Sequence, residues 1–360
     1  MVTRPFLLTH VARALLRYQV GAEDFIRGMN DPLRGVGAVI EAFVEREVSE
    51  KWKQKETGEP YLTKEQHLRL LADVAEEMFR SQRDRLDIDL IETLTTLLLD
   101  EWEIEAVRRQ QVLDMVRMHV LLARPADGDE ASRAFDHPEF RDWFTAYALK
   151  DHLVRLVADG PNSGIASFLG TAQMSDATAR YACALLDRTE PTVRIRLQRL
   201  CELAAAEWRP TYLQINVGTL IPFLIDGVEH AERFEVDASV VYTSLVFEAT
   251  LLSNVIFTGG AFVNASFYGV VWDDVTFADC DLGEIKISES ALYRNVAFRN
   301  CRIEGLRLIL SDGEEVREYA PERIASALGR VGSKSVSTLT PQSLRKSCRC
   351  SLRLLRQGAS

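Results

Sequence analysis

"VIFTGGAFVNASFYGVVWDDVTFADC", residues 255–280, carries a bulky apolar residue at every fifth position: Phe257, Phe262, Phe267, Trp272 and Phe277. A period of five matches neither the two-residue alternation of a strand nor the 3.6 residues of a helical turn. The register extends from Tyr242, Phe247 and Leu252 before the stretch to Leu282, Ile287 and Leu292 after it, eleven consecutive positions in all. One extra residue intervenes between Leu292 and Phe298, and Ile303 and Leu308 then resume the spacing. Two places before most large residues stands a smaller or apolar one, among them Val255, Gly260, Ala265, Val270, Val275 and Cys280. Chance clustering rarely sustains such a run. A stacked architecture is expected, in which each repeat buries its apolar residues against its neighbours.

These residues resemble the pentapeptide-repeat family, whose A-(D/N)-L-x-x units wind into a right-handed quadrilateral β-helix. The resemblance covers about residues 235–310, with Phe favoured over Leu at the central position. It implies four columns of residues 20 apart, with Phe257, Phe277 and Phe298 stacked in one and Leu252, Trp272 and Leu292 in the next. At about 4.8 Å per coil, the roughly 67 residues from Tyr242 to Leu308 make a short stub about 16 Å tall. Its ends need covers, for which "TLIPFLIDGVEH" (219–230) and "EEVREYAPERIASALGR" (314–330) are the candidates. The slip between Leu292 and Phe298 is expected to be a bulge, with Asn295 in an unusual backbone conformation. Cys280 and Cys301, 21 residues apart, are expected to point inward as small core residues.

The chain has 360 residues, 47% apolar and 27% charged, ordinary for a globular protein. The six cysteines show no metal-ligand or small-domain disulfide spacing, which fits a reducing, cytoplasmic setting. No apolar run approaches the length of a membrane span. The net charge of −10 hides an asymmetry, because residues 331–360 carry six Lys/Arg and no Asp/Glu. That basic tail is a candidate contact for nucleic acid or another anionic surface, and otherwise a solvated terminus. Residues 234–284 carry eight Asp/Glu and no Lys/Arg, whereas 285–310 carry five Lys/Arg and two Glu. An acidic repeat stack can mimic DNA, but this one is short for several turns of mimicry.

The N-terminal two-thirds reads as helical, giving an α+β multidomain chain. Thr63 and Gln66 form a capping box for "KEQHLRLLADVAEEMFR" (64–80), with Leu68, Leu71, Ala75, Met78 and Phe79 on one face. "DIDLIETLTTLLL" and a helix ending near Met118 follow. A β-hairpin is expected around Asp127-Gly128, completing a winged-helix-like module. Helices are also expected over about 176–188 and 191–207.

"FDHPEFRDWFTAYAL" (135–149) resembles the F-x-H-x-S-F-Q-E-F-F-A-A signature of NACHT-type NTPases, a branch of the STAND signalling ATPases. Phe135, His137, Phe140, Phe144 and Ala146 match, while Glu139, Arg141 and Asp142 depart from it. The opening "RPFLLTHVARAL" resembles the "P-L-L-L" helix of the same family. The resemblance implies that Pro5 packs against the adenine and that His137 reaches the β-phosphate of bound ADP. The local alternatives are helix initiation for Pro5 and a helix-start residue bonded to nearby backbone for His137.

No G-x-x-x-x-G-K-[S/T] loop and no acidic Mg²⁺-binding strand is present, so ATP hydrolysis by this chain alone is not expected. The expected organisation is a lid and winged-helix-like region over 1–155, a helical linker over 156–230, the repeats over 231–310 and a capping helix with a basic tail over 311–360. The expected function is the non-catalytic regulatory or sensor portion of a NACHT-type signalling ATPase, such as those of bacterial anti-phage defence. ADP or ATP would bind only with a P-loop NTPase core supplied in cis or in trans, and a protein trigger would dock on the repeats. The alternative is a free-standing protein–protein interaction module.

Overall fold

A computed structural model describes residues 32–119, 121–125, 129–160, 164–187, 189–206, 212–226, 228, 233–238, 242–248, 251–268, 271–289, 292–330 and 333–338. The described chain forms two compact units. The first takes the residues up to Asp151 together with Ser175–Leu185, and the second takes His152–Met174 and everything from Leu186 onward. Residues of the 156–230 stretch therefore belong to both units.

In the first unit, α1 (Pro32–Arg46) runs into a π-helical turn, Glu47–Lys51, and is followed by α2 (Lys64–Arg80). The Thr63 hydroxyl accepts from the Gln66 N–H at 3.2 Å, and the Gln66 side chain accepts from the Thr63 N–H at 2.9 Å. This reciprocal cap satisfies two donors that a helix start otherwise leaves open. α2 buries Leu68, Leu71, Ala75 and Met78 as its spacing indicates, but also His67, Leu70, Ala72 and Val74, so it is enclosed on more than one face. Phe79 is only half-buried. Next come β1 (Arg85–Asp87), α3 (Ile88–Glu101), α4 (Ala106–Val116), β2 (Leu122–Ala123) and β3 (Ser132–Phe135). β2 and β3 pair antiparallel, Leu122 opposite Phe135, and β1 joins the outer side of β3 with Arg85 opposite Ala134. The hairpin turn around Asp127-Gly128 lies outside the described residues. α5 (Pro138–Asp159) follows; α6 (Ile165–Thr171) belongs to the second unit, and α7 (Asp176–Ala184) returns to the first.

In the second unit, α8 (Glu190–Ala206) and α9 (Tyr212–Ile225) lead into the sheet. Buried Asn216 of α9 accepts from the Met174 N–H at 2.8 Å and donates to the Leu169 and Ala172 carbonyls at 2.7 Å each. Arg199 of α8 donates to the Leu156 and Val157 carbonyls, satisfying acceptors in the last turn of α5.

The repeat region corrects the expectation of a short quadrilateral β-helix. Its strands are β4 (Phe234–Asp237), β5 (Tyr242–Glu248), β6 (Leu251–Thr258), β7 (Ala261–Tyr268), β8 (Val271–Ala278), β9 (Asp281–Ser288), β10 (Leu292–Arg294), β11 (Val296–Ile309), β12 (Glu315–Glu318) and β13 (Ser333–Thr338). They form one curled, mostly parallel sheet in the order β4-β6-β8-β11-β9-β7-β5, with β10 on β8 and both β12 and β13 on β11. The protein is thus a mixed α/β fold rather than α+β. The physical reason lies in strand length. Twenty residues yield two strands of eight instead of four short sides. Even- and odd-numbered strands build two rows, and the 14-residue β11 joins them by pairing with β8 in its first half and with β9 in its second.

The twenty-residue register itself is present: Leu252 pairs with Trp272 and Phe257 with Phe277. The Phe257 and Phe277 rings stack at 4.9 Å with 12° between planes, and Phe277 and Phe298 at 5.4 Å with 7°. One column departs from expectation. Tyr293, not Leu292, stands opposite Trp272, because the extra residue enters before Leu292 rather than after it. Asn295 does adopt a left-handed conformation (φ 54°), but as one of a column with Asn254 (57°) and Asp274 (55°). A second column holds Gly259 (70°), Asp279 (56°) and Asn300 (52°). Asn, Asp and Gly tolerate this region best, so each bend is written in residue type. α9 packs on β5 at one end, and α10 (Pro321–Arg330), with Ile324, Ala327 and Leu328 buried, packs on β11 and β13 at the other.

Candidate functional site

His137 stands at the start of α5, directly after β3. Its carbonyl accepts from the Phe140 and Arg141 N–H groups at 3.0 and 3.4 Å, and its ring Nδ1 accepts from the Glu139 N–H at 3.2 Å. Pro138 has no N–H, so His137 itself occupies the free donors of this helix start. Around it the motif residues pack: Phe135 stacks on Phe144 at 5.4 Å, and Phe140 lies 6.0 Å from the His137 ring and 6.3 Å from Phe43. Because Nδ1 is an acceptor, the neutral ring carries its proton on Nε2, an assignment made from the hydrogen-bond pattern. The imidazole is half-buried and presents Nε2–H as a donor.

The surroundings are acidic. The Tyr181 hydroxyl donates to Glu139 at 3.4 Å. Burial, with Glu139 adding to it, pushes the Tyr181 phenol up to about 12, and burial raises the Asp142 carboxyl above the usual range. An anion reaching this helix start would meet Glu139 beside the His137 donor, while Asp142 is engaged with Arg141, Ser175 and Thr178. Pro5 lies outside the described residues.

Elsewhere, a cleft of about 440 Å³ opens between α8 and β4. Arg194 lies over the Phe234 ring at 4.7 Å and pairs with Glu190 at 2.6 Å, while Arg233 pairs with Asp274 at 3.3 Å. Cys201 lines the cleft, but burial, with Asp237 and Glu202 nearby, pushes its thiol up to about 12, so it is not a ready nucleophile. Cys280 and Cys301 are both buried, with Cys280 Sγ 2.8 Å from the Gly259 carbonyl oxygen. Among the described residues no group of three or more His, Cys, Asp and Glu is arranged to hold a metal ion, and no helix is long and apolar enough to cross a membrane.

Part of the charge on the sheet is paired within the molecule. Asp281 meets Arg302 at 3.4 Å and Glu284 meets Arg307 at 2.7 Å, so acidic residues of one strand face arginines of the next. The arginines of α4 and its exit are likewise paired, Arg108 with Glu59, Arg109 with Asp100 and Arg117 with Glu92. Of the basic tail, Ser333–Thr338 forms β13, and residues 339–360 lie outside the described residues.

One feature escaped the sequence reading altogether. His67 in α2 and His119, between α4 and β2, meet ring to ring, Nε2 to Nε2 at 2.6 Å, in the core of the first unit. Their separation of 52 positions gives no local signal. A scan against family models and a search of curated proteins return no match to the chain.

Proposed function

We propose that this chain is a non-catalytic regulatory portion of a NACHT-type signalling ATPase, of the kind that serves bacterial defence, and that it contributes His137 to a nucleotide site completed by a separate P-loop core. The observation that carries this reading is the His137 tautomer. Nδ1 is tied to the helix backbone, which leaves the Nε2–H of this half-buried ring as the donor for a phosphate oxygen. The aromatic packing of Phe135, Phe140 and Phe144 supports it by fixing the ring at the end of β3. The chain has no P-loop to supply the remaining phosphate contacts, so nucleotide binding rests on the partner. The second unit serves as the surface for a protein trigger.

Calorimetry with Mg-ADP and Mg-ATP should give millimolar or weaker binding by this chain alone. After reconstitution with a P-loop core that co-purifies with it, His137→Ala should speed ADP release about ten- to a hundredfold, the worth of one charge-assisted hydrogen bond of about 1.5–3 kcal/mol. Magnesium-dependent turnover by the chain alone, or unchanged ADP release, would overturn the reading.

A free-standing interaction module is the second reading. Its support is the side-by-side exposure of Leu251 and Val271, paired in register and 46% and 42% exposed. A chain that co-purifies with no P-loop protein would favour it.

A further inference from the structure

His67 and His119 are fully enclosed, packed against Trp52 with ring centroids 4.5 and 5.6 Å from the indole. Their protonation state follows from their neighbours. His119 Nδ1 accepts from the Leu121 N–H at 3.1 Å, so the neutral ring bears its proton on Nε2. That proton is donated to His67 Nε2, which is an acceptor, and the His67 proton therefore sits on Nδ1. Buried His67 Nδ1 has no hydrogen-bond partner. Both imidazole lone pairs are thus engaged, one with Leu121 and one between the rings. No free lone pair remains to take an added proton, so protonation must break one of those two bonds.

Burial holds both rings in the neutral form at neutral pH. His67 lies well below its ordinary range through burial and its partner ring, and His119 is lowered to about 3 by burial and Lys51. The charged groups acting on the rings are Glu47 and Lys51 of the π-helical turn. Glu47 is itself buried and paired with Arg46 and Lys51 at 2.9 Å each. Its carboxylate favours a cation on His67 and partly offsets the cost of charging it.

We propose that the His67–His119 pair is an acid-operated latch, which holds the connector between α4 and β2 against the first turn of α2 and releases it on proton uptake. The groups tied together are informative: the start of α2, the π-helical turn ending at Trp52, and the segment leading into the β2–β3 hairpin. An apolar pair would pack the same core without an unpartnered N–H. The imidazoles make the closed arrangement conditional on pH. Release is a local event with a defined origin, distinct from acid unfolding of the whole chain.

Hydrogen exchange followed by mass spectrometry at pH 7 and pH 5, corrected for intrinsic rates, reads this directly. Peptides covering 117–123 should lose about tenfold or more in protection at pH 5, while peptides from 251–309 keep theirs. His67→Phe, which fills the space and cannot be charged, should shrink the difference, leaving His119 alone to respond to acid. Equal loss in wild type and His67→Phe, loss shared with the sheet, or no loss would each overturn the latch. If His67→Phe does not fold, NMR titration of the wild-type imidazoles decides. The two buried rings should titrate together with a shift of the Leu121 amide. Rings that stay neutral until the sheet itself unfolds in acid, or that titrate with that amide unmoved, would overturn it equally.

Discussion

The two units bury their aromatic rings by opposite means. In the second, Phe257, Phe277 and Phe298 stack nearly parallel because backbone register sets them one above another. In the first, Trp52, His67 and His119 meet at tilts of 58 to 64°, joined by a single hydrogen bond between side chains far apart in sequence. The stack is redundant and apolar, and its strength is proportional to area. The histidine cluster is specific and polar, and its strength depends on one proton. A repeated core therefore tolerates changes of solvent condition, whereas a hydrogen-bonded core registers them.

The largest test of this contrast is Phe277→Ala. Phe277 is fully buried between two rings, and its truncation should destabilise the sheet by about 3–5 kcal/mol. A denaturant midpoint shift worth under about 1 kcal/mol would mean that the stack is not the core of the second unit. Acid should separate the units next. A group whose folded pKa lies below its unfolded value stabilises above the unfolded pKa and loses that contribution as pH falls. His67 and His119 should thus each remove about 1.4 kcal/mol per pH unit below about 6.5. Thermal melts between pH 7 and 5 should show the first unit falling before the second.

Gly260→Ala should cost about 1–3 kcal/mol through backbone strain. Gly260 has φ +96°, and an added Cβ would sit 2.8 Å from the Ala238 carbonyl oxygen, between successive bends of the sheet. Thr63→Ala should be the mildest change. It loses the capping bond of α2 and should cost about 1 kcal/mol, read as a small fall in the midpoint of the first unit alone.

What could be read from sequence follows the same division. The five-residue period, the capping box and the start of α5 at Pro138 are local patterns, and they locate the stacked rings, α2 and α5 correctly. The joining of strands into two rows was not legible, because it depends on β11 pairing with two partners at once. The position of the extra residue was equally hidden. Leu292 fits the hydrophobic count, yet Tyr293 occupies the column, reaching the Phe267 carbonyl with its hydroxyl at 3.2 Å. β1 is three residues long, too short for alternation to show. At the candidate site, "FDHPEF" marks His137, but the contact of Glu139 with Tyr181 comes from a residue 42 positions on and leaves no trace in the motif.

The chain returns to the same column after 20 residues between β6 and β8, and after 21 between β8 and β10. Sheet length is therefore counted in whole returns. Duplicating residues 251–270 would add one strand to each row, about 4.8 Å of height, and leave both covering helices their original partners. An insertion of ten residues would instead hand each following strand to the other row, setting the wrong side chains against α9 and α10. Recombination between repeats can thus lengthen or shorten this sheet only in fixed steps, on a ruler whose marks are already cut.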